Sequence, residues 1–118
     1  MYHIELDKSK ELFIVKGFGL YKEDELLSFI NDLKTKINLI NPRDYKLVLD
    51  TSKLKTSGQK TLPIMNDIMQ IYLETPFKKR FYVQSESVTA NMQMKRTGKN
   101  DFFDNLTIIS SIKESYTE

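Results

Sequence analysis

The residue types that could carry chemistry or recognition are concentrated between Tyr45 and Thr75. The apolar run Lys46-Leu47-Val48-Leu49 ends on Asp50, and Ser52, Lys53, Lys55, Thr56, Ser57, Gly58 and Lys60 follow in a polar loop. A helical pattern then opens near Pro63, which suits a first helical turn because its missing N–H costs nothing there. A strand that delivers a carboxylate, small hydroxyls, a glycine and lysines into a helix start has two uses. The Ser57 hydroxyl can accept a phosphoryl group, whose added negative charge the positive end of a helix favours. Alternatively, Lys53, Lys55 and Lys60 around Gly58 can hold a small anion or nucleotide, since open α/β sheets bind ligands beyond the carboxyl ends of their strands. Each has a plainer counterpart: Ser57 as a turn or N-cap serine, and the lysines as solvated charges. The glycine-rich phosphate fingerprint is absent.

Catalysis finds little to work with. The sequence has no cysteine and one histidine, His3, which alternates with Glu5 in a strand-like pattern and reads as solvent-facing. Thiol nucleophiles, disulfides, cysteine-held metals and histidine-rich metal sites are thereby excluded, and no nucleophile stands at a recognisable spacing from a base. The expectation is a non-enzyme with neither cofactor nor metal. Net charge is +2, yet the segment from Lys53 to Lys99 holds nine basic residues against Asp67, Glu74 and Glu86, a local charge of +6. With Phe81 and Tyr82 close by, that asymmetry is the one feature favouring nucleic acid. The small overall charge disfavours it, and the Lys78-Lys79-Arg80 triplet is read as complementing the carboxyl end of the preceding helix.

The elements around this segment follow from periodicity. Tyr2 to Asp7 alternates apolar and polar residues, the mark of a strand with one wet face, and a polar turn leads to Leu12-Phe13-Ile14-Val15, a strand buried on both faces that Gly17 and Gly19 end. Lys22 to Asn38 predicts a helix, with Leu26, Ile30, Leu33 and Ile37 in one stripe and Glu23, Asp24 and Glu25 in the first turn. After Asn41-Pro42 comes the central strand, then the helix from Pro63 with Ile64, Ile68, Ile71 and Tyr72, stopped at Thr75-Pro76. Phe77 to Val83 predicts a fourth strand, Ser85 to Gly98 a third helix, Asn105 to Ile109 a fifth strand, and Lys113 to Glu118 a polar tail. At 118 residues the chain is expected to form one domain, 1–118. The expected fold is α/β in the order β-β-α-β-α-β-α-β: a mostly parallel sheet of about five strands, an antiparallel N-terminal edge strand and three main helices joined by right-handed crossovers. No apolar run approaches the roughly 18 residues of a membrane span, and Met1-Tyr2-His3-Ile4-Glu5 lacks the order of a secretory signal, so no membrane contact and a cytoplasmic location are expected.

That order, with Leu47-Val48-Leu49-Asp50 running through Ser57-Gly58 into a helix, resembles the STAS domains of sulfate transporters and anti-sigma factor antagonists, the SpoIIAA-like group. The resemblance spans nearly the whole chain. In anti-sigma factor antagonists a strand-end Asp precedes a loop in which an Asp-Ser pair before glycine opens the next helix, and a partner kinase phosphorylates that serine. Asp50, Ser57 and Gly58 match those positions, while Thr56 stands where the family has Asp. Val88 and Met92-Gln93-Met94-Lys95-Arg96 are similar to the third helix of uncharacterised bacterial SpoIIAA-like proteins. The resemblance implies a regulatory, protein-binding module whose contact surface comprises Asp50, Ser52, Lys53, Lys55, Thr56, Ser57, Gly58 and Lys60, with Ser57 the candidate phosphoacceptor. A small anion or nucleotide at the same loop is the alternative. No sequence feature fixes an oligomeric state.

Overall fold

A computed structural model of the chain describes residues 1–19, 22–55, 61–84 and 105–117. The elements are β1 (Tyr2–Asp7), β2 (Leu12–Gly19), α1 (Glu23–Ile37), a 3-10 turn (Pro42–Asp44), β3 (Lys46–Leu54), α2 (Leu62–Glu74), β4 (Lys79–Val83), β5 (Thr107–Ile109) and a C-terminal 3-10 helix (Ile112–Tyr116). Among the described residues the strands form one sheet in the order β1-β2-β3-β4-β5. β1 runs antiparallel to β2, and every later pair is parallel. The expected mixed sheet with its antiparallel edge is therefore present, with two α-helices described. The third predicted helix, Ser85 to Gly98, lies outside the described residues. None of the described helices is long and apolar enough to cross a membrane.

Sequential strand order decides where the helices go. When each parallel strand lies beside its predecessor and crossovers are right-handed, successive helices fall on one face of the sheet. Leu26, Phe29 and Leu33 of α1 and Met65, Ile68, Met69 and Tyr72 of α2 accordingly share a core with Phe13, Val15, Leu47, Leu49 and Tyr82. The buried face of α2 is rotated from the expected stripe: the two methionines lie at its centre, while Ile64 and Ile71 are half-buried at its margins. Methionine fits here because its unbranched side chain fills irregular space between helix and sheet. α1 carries Glu23, Asp24 and Glu25 in its first turn and Lys34 and Lys36 in its last, both favoured by the helix dipole.

The other face of the sheet holds a smaller cluster, Leu12, Ile14, Val48, Phe81, Val83 and Ile109, with Ile112 packed against it. This corrects the reading of Lys113 onward as a polar tail. Ile112–Tyr116 folds back as a 3-10 helix in which Ser115 is fully buried, its hydroxyl donating to the Ile112 carbonyl at 2.6 Å. Lys46 Nζ donates to the Ser115 carbonyl at 3.0 Å, and the Lys10 ammonium sits 4.9 Å from the centre of the Tyr116 ring. A polar tail docks when long-range partners satisfy its backbone, which local sequence does not reveal. β5 is shorter than expected, since Asn105 and Leu106 precede it outside the ladder.

β2 ends at Gly19, one of the two glycines expected to stop it, whose positive φ of 63° is a conformation open to glycine. β3 does not stop at Asp50 but runs four residues further, because Lys53 and Leu54 pair with Phe18 and Gly19 of β2.

Candidate functional site

The extension of β3 changes the nature of the segment that carries the candidate residues. Asp50, Thr51, Ser52, Lys53 and Leu54 belong to the strand, so the loop proper begins at Lys55. The register passes from Lys16–Asp50 to Phe18–Lys53, three steps on β3 against two on β2, so β3 carries a bulge at Thr51-Ser52. Bulges re-aim side chains at strand ends. Asp50 stabilises this one, its Oδ1 accepting from the Ser52 N–H at 3.0 Å and from the Ser52 hydroxyl at 2.6 Å. Asp50 and Ser52 are thus partners, both half-buried, and the carboxylate has a local structural task at the strand end.

Thr51 and Leu54 point the other way. Thr51 is buried, and its hydroxyl donates to the Val83 carbonyl at 2.6 Å, linking the ends of β3 and β4. Leu54 belongs to the main core. The segment is therefore not free of apolar anchors, as its polar composition had implied. The bulge is the reason: inward positions fall at Leu49, Thr51 and then Leu54, so strict alternation breaks and the pattern imitates a loop. Burial pushes the phenol of Tyr82 up, and the Thr51 hydroxyl beside it pulls the opposite way.

Lys53 and Lys55 are exposed on either side of Leu54, and the Lys55 N–H donates to the Gly19 carbonyl at 2.9 Å. These two lysines are brought together with Asp50 and Ser52 at the carboxyl edge of β3. Thr56, Ser57, Gly58 and Lys60 lie outside the described residues. On the far side, Thr61 precedes α2 and does not cap it with its side chain. It is 4% exposed, and its hydroxyl lies 3.9 Å from the Met65 sulfur. No acidic residue occupies the first turn of α2.

Sequence reasoning missed Phe18. Flanked by Gly17 and Gly19, it stands in register with Lys53 and is 36% exposed, an aromatic at the rim of the candidate surface. An isolated aromatic between two glycines at the end of an apolar run was the available signal. The basic triplet resolves toward structure at Arg80. Its Nε donates to the Tyr72 carbonyl at 2.9 Å, and its Nη2 donates to the Leu73 and Thr75 carbonyls at 3.2 and 2.8 Å. This guanidinium closes the carboxyl end of α2, where three carbonyls lack intrahelical donors. Among the described residues no three His, Cys, Asp or Glu side chains converge to hold a metal ion.

No protein-family model matches the chain, and no curated protein matches it. Among solved structures, that of the anti-sigma factor antagonist SpoIIAA in its unphosphorylated form is similar over 98% of this chain and 92% of its own, with a TM-score of 0.63 and 10% sequence identity. At that identity the likeness is one of fold: the chain has a STAS/SpoIIAA-like fold.

Proposed function

We propose that the chain, as a single domain, is a non-catalytic regulatory module of STAS type, acting in the cytoplasm and capturing a protein partner through the β3–α2 segment. The observation that carries this reading is the end-to-end likeness to an anti-sigma factor antagonist, which leaves almost none of either chain unmatched. The contact surface comprises Asp50, Ser52, Lys53 and Lys55 at the strand end and Thr56, Ser57, Gly58 and Lys60 beyond it, with Phe18 at the rim. Ser57 is the candidate phosphoacceptor, in keeping with its place before α2, whose N-terminus favours added negative charge. The β3 end of the surface is held by the Asp50–Ser52 and Thr51–Val83 bonds.

The test is affinity capture from native lysate with the wild type and with Ser57→Ala, Ser57→Asp and Lys60→Ala, each checked for an unchanged melting temperature. Loss of one specific partner in the variants supports the reading. Equal capture by all four proteins removes the segment from the interface. Mass spectrometry of the protein recovered from its own cells decides phosphorylation at Ser57 separately.

A further inference from the structure

Between the carboxyl halves of β2 and β3 and the inward faces of α1 and α2 lies a partly open cavity of about 60 Å³. Protein interiors are close-packed and hold few voids larger than a water molecule, so this one needs a cause. On β2 the inward series Phe13, Val15 reaches Gly17, which has no side chain to fill the layer. Opposite it, the β3 bulge spaces the inward residues Thr51 and Leu54 three apart instead of two. Both strands thus withhold a large side chain at one level, and Met65 and Met69 of α2 form the facing wall.

Among the described residues the lining is apolar apart from Asp50, Thr51 and Tyr72. The Thr51 hydroxyl is committed to Val83 and Asp50 Oδ1 to Ser52. A buried water needs two to four polar partners, and apolar cavities of roughly 150 Å³ stay dry and take up benzene or xenon. Methionine walls add adaptability, since the thioether chain shifts rotamer at low cost.

We propose that this cavity is a binding site for a small alkyl ligand. Its occupancy acts on the β3 end, because Asp50, Thr51 and Leu54 are both cavity wall and entry to the partner-binding segment. The coupling rests on the function proposed above; binding to the cavity does not.

The experiment uses the full chain labelled with 13C at the methionine methyls and 15N throughout, equilibrated with xenon and then with propane under increasing pressure. Saturable shifts of the Met65 and Met69 methyls, accompanied by the amides of Thr51 and Leu54, are expected from both gases. Gly17→Ala, which places a methyl group in the void, should abolish saturation in a folded protein. Should that variant fail to fold, Met69→Ala enlarges the void instead and should bind xenon several-fold more tightly. Shifts that grow linearly with pressure, or uptake unchanged by either variant, overturn the site. Saturable methyl shifts with silent β3 amides overturn the coupling. Partner capture in the absence of gas depends on neither result, so the cavity and the proposed function fail separately.

Discussion

The hydroxyl of Thr51 donates to the carbonyl oxygen of Val83 at 2.6 Å, across the ends of two parallel strands and away from solvent. A residue that reads as the first position of a polar loop is thereby part of the sheet. Thr51→Val keeps the shape and β-branching but removes the donor, leaving a buried carbonyl one partner short. The expected cost is about 1 kcal/mol, measured as a lower urea midpoint at constant m value.

Leu54 and its neighbour Lys55 separate the structural and the recognition roles of this segment. Leu54→Ala should cost about 2–5 kcal/mol, as should Ile68→Ala across the core, because each removes a buried aliphatic side chain. Lys55→Ala should stay within about 0.5 kcal/mol, since its backbone bond to Gly19 survives the change. The same small effect is expected of Ser57→Ala and Lys60→Ala. If Ser57→Ala instead unfolds the domain in a thermal melt, the serine is a structural cap and the proposed phosphoacceptor is lost.

Arg80 is expected to resist replacement by its nearest chemical relative. A lysine ammonium cannot reproduce the fork that reaches the Tyr72, Leu73 and Thr75 carbonyls. Arg80→Lys should therefore cost about 1–2 kcal/mol in chemical denaturation, whereas exposed Lys78→Ala stays within about 0.5 kcal/mol. A salt-sensitive gel shift abolished by Lys78→Ala would instead revive the nucleic-acid reading of this triplet.

Alkaline pH should weaken the contact between β1 and α1. The Tyr2 phenol donates to the Asp32 carboxylate, and this bond, followed by partial burial and the charges of Asp32 and Glu25, pushes the phenol from 10.0 up to about 12. A raised folded value means that the stabilisation is fully present below the unfolded value and is lost as pH rises through the folded one. Unfolding free energy should therefore fall between about pH 10 and 12, and Tyr2→Phe should flatten that part of the profile while keeping the ring 4.8 Å from Phe29. At the acid end the sign reverses. The Ser9 hydroxyl, then the Lys10 N–H, hold the half-buried Asp7 carboxyl below the usual range, so its contribution is present above that range and is lost as pH falls from there through the lower folded value.

Local pattern by itself determined the hairpin, both described helices, the central strand and the strand directions, because periods of 2 and 3.6 and the right-handed crossover rule act over short stretches of chain. It also singled out Asp50 and Ser52, and it read the Lys78-Lys79-Arg80 triplet as complementing the carboxyl end of α2, as Arg80 does. Only the tertiary structure decided that β3 runs on to Leu54, since a bulge erases strict alternation and the pairing partners, Phe18 and Gly19, lie more than thirty residues away. The docking of Ser115 beneath Lys46 is of the same kind, a bond between residues 69 positions apart. So is the void beside Gly17, which exists because two strands distant in sequence each lack a large side chain at one level of the core.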